Sequence, residues 1–342
     1  MRRIIIALTL CVLAMPAAAT PPASGEFLSS EQVAGWMSNY RAKPDLVRVP
    51  AAVRTLSRFG GFKDPESSGV YVGFLAGVIG ANPAKAEELI GKMLPLPAGD
   101  QWAIIRAIAY SGHPDWMGLL GKFADRMPLR QVMIQKYIEG KLPTLEEIPL
   151  EKKKATLMEQ VRGYFDKPKE PSLSDATIDG RPELLDTLWG YYFATGAYRP
   201  IARIVALLPW SKDRDSIDKL TVGSMAKFTL AANAARDMEL LAMLKRMSKR
   251  QAKNVILNEV IEAAETMETT RVRKEALAAL EELKRKGPGY KRDISTWGQV
   301  GQGALALGCI AAATTGQVQF GLPCVIGGAT SAAVLNFWDK QP

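Results

Sequence analysis

Few residues in this chain have the type and spacing that chemistry needs. The single histidine, His113, sits in Gly112-His113-Pro114-Asp115-Trp116. One imidazole cannot build an H-E-x-x-H zinc site, and its place between two apolar stretches suits a structural ring at a turn better than a general acid or base. Gly91-Lys92-Met93 lacks the upstream glycine and the following Ser or Thr of a phosphate-cradling loop. The adjacent carboxylates Glu87-Glu88, Glu146-Glu147 and Glu281-Glu282 point to different sides of a helix where they are helical, so each reads as a solvated face. No G-x-S-x-G, C-x-x-C or calcium-loop pattern is present. The expectation is a non-enzymatic protein with no cofactor, no metal site and no evident small-molecule substrate.

Thiol chemistry depends on where the chain resides. Arg2 and Arg3 precede an apolar run from Ile4 to Leu13, and Ala17-Ala18-Ala19 offers an A-x-A cleavage site before Thr20. This is the pattern of a secretory signal peptide cut after Ala19, which predicts a periplasmic or secreted protein. Cleavage removes Cys11 and leaves Cys309 and Cys324, 15 residues apart, in an oxidising compartment. Their midpoint, Gly316-Gln317, would be the turn of an antiparallel hairpin that sets the two sulfurs at matching heights. A disulfide there, closing a loop worth about 3 kcal/mol in the chain-entropy model, competes with two buried free thiols.

The segment around those cysteines, 297–338, is rich in Gly and Ala. Small residues recur every fourth position at Ala304, Gly308, Ala312 and Gly316, then at Cys324, Gly328 and Ala332. Such a stripe lies on one helical face and lets two backbones approach closely. A close-packed helical hairpin, a membrane-active segment, or both would satisfy it. Each arm offers about 17 moderately apolar residues against about 20 needed to span a bilayer.

Apolar residues make up 47% of the 342-residue chain and charged residues 23%, ordinary for a folded globular protein. Loss of Arg2 and Arg3 lowers the net charge from +9 to +7. The excess gathers in two clusters: Lys245, Arg246, Lys249, Arg250 and Lys253, then Lys284, Arg285, Lys286, Lys291 and Arg292. In an exported protein nucleic acid is excluded as a partner. An anionic membrane surface or an acidic protein fits better, although two solvated helix faces would read the same.

The elements that must position these residues read as helices. Sustained period-2 alternation and Asn-Gly or Asp-Gly hairpin turns are missing. One arrangement recurs instead, in which an apolar stretch ends near Gly and a Pro opens a second stretch. It predicts pairs at 70–81 with 84–94, 101–111 with 115–127, 184–195 with 201–208, and 225–234 with 238–247. A fifth follows at 254–265 with 270–284. Gly80 to Gly112 is 32 residues and Gly196 to Asn233 is 37, within the range of helical repeats. Residues 151–165 predict an amphipathic helix, and 166–182 an exposed loop.

Leu188-Trp189-x-x-Tyr192 followed by Gly196-x-Tyr198 resembles the first helix and turn of a tetratricopeptide repeat. The sequence departs from that family where Leu185 replaces Trp, Trp189 replaces a small residue, and Pro200 shortens the second helix. Gly73 and Gly80 fit the small-residue and turn slots of the first pair, with Ala76 replacing the aromatic. The resemblance implies an α-solenoid over roughly two-thirds of the chain; an irregular all-α domain is the other option. It also implies a concave groove in which Trp189, Tyr192 and Tyr198 would anchor a protein or peptide partner, unless they pack in the core.

The expected organisation is thus a signal peptide at 1–19, an N-terminal helical region at 20–142 and a helix-plus-loop hinge at 143–182. A helical-repeat region at 183–286 and the apolar hairpin at 297–338 complete it. Two functions follow. One is an exported adaptor of the cell envelope; the other is a membrane-associated or membrane-inserting protein acting through the hairpin, with Lys284, Arg285, Lys286, Lys291 and Arg292 on anionic headgroups.

Overall fold

A computed structural model describes residues 26–65, 67–150, 182–214, 217–250 and 254–266, with isolated positions at 274 and 278. Over these residues the chain is all-α. The signal peptide, the 151–165 helix, the 166–181 loop, the Lys284 to Arg292 cluster, the Cys309–Cys324 pair and the 297–338 hairpin lie outside the described residues.

Twelve α-helices pack against one another among the described residues, an arrangement compatible with a helical-repeat fold. They are α1 (Ser30–Asn39), α2 (Val49–Arg58), α3 (Gly69–Ala81), α4 (Ala86–Met93), α5 (Gln101–Tyr110), α6 (Trp116–Phe123) and α7 (Gln131–Ile138). After residues 151–181 come α8 (Pro182–Thr195), α9 (Tyr198–Ala206), α10 (Ile217–Ala234), α11 (Met238–Arg250) and α12 (Val255–Glu265). Four pairs, α3/α4, α5/α6, α8/α9 and α10/α11, fall on four predicted units, and α12 on the first helix of the fifth. Helices α1, α2 and α7 are additional to the predicted pairs.

Two of the predicted turn glycines do what the pattern requires. Gly112 and Gly196 follow α5 and α8 with φ of +66° and +65°, a conformation costly for any side chain. Gly80 has another role. It lies inside the last turn of α3, and the turn falls at Asn82 and Pro83. A Cβ on Gly80 would stand 2.0 Å from the Ser111 carbonyl oxygen, so its bareness lets α5 close on α3.

Helix α3 is the axis of the fold. Every residue from Gly69 to Ile79 is buried, as expected of a helix that is apolar on all sides. On one flank lies α5, on another the ring cluster of Trp36 and Tyr40 against Phe74. Its most extensive contact is with α8. There the glycines of α3 meet main chain directly: a Cβ on Gly69 would lie 2.5 Å from the Glu183 oxygen, and one on Gly73 would lie 1.9 Å from the Thr187 oxygen. A Cβ on Gly77 would lie 3.0 Å from the Tyr191 oxygen. The partner is 114 residues ahead each time, so the two helices run parallel.

The contact is also reciprocal. Gly190 of α8 approaches Val70, where a Cβ would sit 2.0 Å from the carbonyl oxygen, just as Gly73 approaches Thr187. Val70 and Thr187 are 117 residues apart, as are Gly73 and Gly190, and as are Gly77 and Ala194, which touch. Both helices therefore present the same face, the signature of a two-fold contact, here formed within one chain.

From this seam the helices extend outward on both sides within one hydrophobic core. On the N-terminal side, Lys122 of α6 pairs with Glu87 of α4 at 2.6 Å, and Arg126 donates to the Gly91 carbonyl at 3.3 Å. Both contacts span 35 residues. Arg54 of α2 reaches the Lys92 carbonyl of α4 across 38 residues. On the other side, Trp189 Nε1 donates to Thr229 Oγ1 of α10 at 3.0 Å, and Lys227 of α10 pairs with Glu259 of α12 at 2.8 Å.

One ion pair is fully enclosed. Arg106 of α5 meets Glu183 of α8 at 3.1 Å, with side chains only 4% and 5% exposed. Its guanidinium also lies 4.9 Å over the Trp102 ring. Burial alone would lower the Arg106 pKa, but Tyr110, Tyr137 and Glu183 around it more than reverse that and hold the cation. Burial drives the Tyr110 and Tyr137 phenols upward, so both stay protonated.

Candidate functional site

A concavity of the described surface lies between α2 and α4, with a volume of about 450 Å³. Local sequence explains both walls. Asp45 accepts from the Val47 amide and starts a 3-10 turn at Leu46–Arg48. Pro50 then enters the first turn of α2, where a missing N–H costs nothing. On the other wall, Pro83 opens a 3-10 turn that leads into α4. Ala86, Leu89, Ile90 and Met93 form the buried stripe of α4, which leaves Lys85, Glu88 and Lys92 outside.

The groove is two-toned. Pro50 and Leu89 are buried at its base, Leu46 is half-buried, and Val47 stands 88% exposed on the lip. Arg54, Lys85 and Lys92 supply cations at the rim against one carboxylate, Glu88. Glu88 pairs with Lys92 at 2.5 Å, and Lys92 holds its pKa below the usual glutamate value. The neighbouring Glu87 is taken up by Lys122. Among the described residues Arg54 and Lys85 form no ion pair, although the charge of Lys85 adds to the lowering of the Glu88 pKa.

Sequence reasoning did not find this groove. Around Lys92 the sequence shows only an incomplete phosphate loop. Lys85, Glu88 and Lys92 share one face of α4 by their spacing, and the 38-residue register of α2 on α4 adds Arg54 to them.

The predicted groove residues are distributed differently. Trp189 and Tyr192 are not anchors of an open surface: both are at most 1% exposed and pack in the core beside Phe193. The reason is the seam, which draws α8 into the centre of the molecule. Gly190, one residue beyond Trp189, supplies the close approach for which a small residue was expected at 189. Tyr198, the first residue of α9, is 48% exposed. The three therefore do not converge. His113 bridges two turns: Nδ1 accepts from the Asp115 amide at 3.0 Å, and Nε2 faces the Pro83 carbonyl at 3.4 Å. Glu146 pairs with exposed Arg199, and Glu147 accepts from the Thr144 amide and hydroxyl. Of the first basic cluster, Lys245, Arg246, Lys249 and Arg250 are exposed on α11, with Lys245 paired to Glu265.

Tyr192 takes part in a polar clamp at the edge of the seam. Its hydroxyl donates to Asp237 Oδ2 at 2.8 Å, and Arg41 reaches the same oxygen at 2.7 Å while lying 4.8 Å over the Tyr192 ring. Asp237 Oδ1 meanwhile caps α11 by accepting from the Glu239 and Leu240 amides. Burial would raise the Asp237 pKa, but Arg41, the Leu240 amide and Tyr192 together hold it below the ordinary value. A depressed folded-state pKa gives stability that is full above the unfolded value and is lost as pH falls through the folded one. Asp237→Asn is therefore expected to be less stable than wild type at pH 7, with the gap closing below about pH 4. Urea midpoints measured from pH 7 to pH 2.5 check this; a gap that stays constant with pH would show that the carboxylate charge does not matter.

Comparison of the chain with family models, with curated proteins and with solved structures returns no match. Among the described residues no group of three or more His, Cys, Asp or Glu side chains is placed to hold a metal ion. No described helix is long and apolar enough to cross a membrane.

Proposed function

We propose that the protein is a non-catalytic helical-repeat adaptor that is exported after loss of residues 1–19 and binds a protein or peptide partner. The observation that carries this reading is the register of the outer helices. Helix α2 packs on α4 and side chains link α4 to α6, at offsets of 38 and 35 residues, and the first two leave an open groove between them. Stacked helix pairs with grooves between neighbours are the binding surface of α-solenoids. The tetratricopeptide-like run from Leu188 to Tyr198 supports the same architecture.

The test is selection of a displayed random-peptide library on the purified mature chain, alongside a broad hydrolase substrate panel. The adaptor reading expects the recovered peptides to converge on one pattern and the panel to stay silent. Turnover that one point substitution abolishes, with no convergent peptide, would replace it with an enzyme.

A further inference from the structure

We infer that the α2–α4 groove binds an acidic peptide segment that carries a bulky apolar side chain; this rests on the adaptor reading. The charge argument comes from what is already paired. Lys92 neutralises Glu88 and Lys122 neutralises Glu87, so the nearby carboxylates are spent. Arg54 uses one Nη on the Lys92 carbonyl, at 3.5 Å, and keeps the rest of its planar fork for a carboxylate. Lys85 contributes a second cation at the same rim. An acidic segment is the complement of this surface.

The apolar half of the groove defines the rest of the ligand. Val47 is exposed beside Leu46 and Leu89, so an apolar side chain entering here removes surface from water on both partners. A concavity of about 450 Å³ accommodates one large side chain with its flanking backbone. A flat anionic bilayer would meet the rim cations but would leave the buried Leu89 base untouched. The shape therefore favours a peptide.

The experiment is fluorescence anisotropy with the full mature chain and a labelled twelve-residue peptide, Asp and Glu flanking a central Trp-Leu. Arg54→Glu/Lys85→Glu and Val47→Asp are each expected to weaken binding at least about tenfold. Arg246→Glu/Lys249→Glu on α11 is the charge-matched control and leaves binding unchanged. Replacing Asp and Glu by Asn and Gln in the peptide, or Trp-Leu by Gly-Gly, is expected to abolish the signal. All substituted positions are exposed, and thermal melts confirm that the variants are folded. Equal loss in the α11 control would reduce the effect to net charge and overturn the inference. Groove-dependent sedimentation with phosphatidylglycerol vesicles, without peptide binding, would also overturn it by assigning the groove to lipid. If library-selected peptides bind the groove variants normally, the inference fails while the adaptor reading stands. If no peptide is selected at all, the adaptor reading itself fails.

Discussion

Gly73→Ala is expected to lower the unfolding midpoint by about 10 °C, and Gly190→Ala to do the same. A single methyl group at Gly73 would sit 1.9 Å from the Thr187 carbonyl oxygen, and one at Gly190 would sit 2.0 Å from that of Val70. The obstacle in each case is backbone, which cannot rotate away as a flexible side chain could. Helices α3 and α8 must separate, and both are buried. Overpacking of this kind costs about 3 kcal/mol or more, and each kcal/mol moves the midpoint by about 2–4 °C in a domain of this size. Gly121→Ala is the control. It lies in α6 with nothing within 4 Å of the added methyl, so it is expected to stabilise by up to about 1 kcal/mol through helix propensity. Differential scanning calorimetry of the three variants gives the comparison. A Gly73→Ala midpoint equal to that of Gly121→Ala would show that the helices do not meet as described.

Arg106→Met is expected to cost about 3–5 kcal/mol, because it takes from the buried Glu183 carboxylate a guanidinium 3.1 Å away. The pair is nearly inaccessible, at 4% and 5% exposure, so solvent cannot replace the lost partner. The double variant Arg106→Met/Glu183→Leu removes both charges and is expected to recover most of that loss. Chemical denaturation of the two singles and the double completes a cycle in which the coupling is large and the double lies close to wild type. Additive losses would mean that the pair contributes no mutual stabilisation. Since α5 and α8 come from opposite sides of residues 151–181, the pair ties the helices before and after them together from within.

Much of the fold was legible because its signals are local. Apolar periodicity and Gly-Pro punctuation place α3 to α6, α8, α9, α11 and α12 within a few residues, whereas α10 begins at Ile217, ahead of the expected 225. Gly112 and Gly196 mark their turns by backbone chemistry alone. Helix α1 has no glycine turn pairing it with a neighbour, and α7, although bounded by Pro128 and Gly140, has no partner stretch directly after it to complete a pair, so both escaped. The seam escaped for a different reason. The small-residue spacing noticed at 304–316 also occurs at Gly69, Gly73 and Gly77, but its partner Gly190 lies more than 100 residues away. Periodicity names a face without naming what meets it. That is also why the sequence left Trp189 and Tyr192 open between groove and core, whereas their helix is central and both are buried. The α2–α4 groove was illegible in the same sense: Lys85 and Lys92 share a face of α4 by their spacing, but Arg54 of α2 joins them only through packing.

The separation of α3 from its partner also sets the order of events during synthesis. Helix α3 is complete at residue 81, and α8 at residue 195. At about 5–20 residues per second, a glycine-lined apolar helix waits on the order of ten seconds before the face that closes it exists. Until then the N-terminal helices can form their local pairs but cannot finish their core. The molecule therefore matures late, with a long-range step that local helix formation cannot hurry, and an interrupted chain ending before residue 182 would present that unfilled face to whatever protein surrounds it.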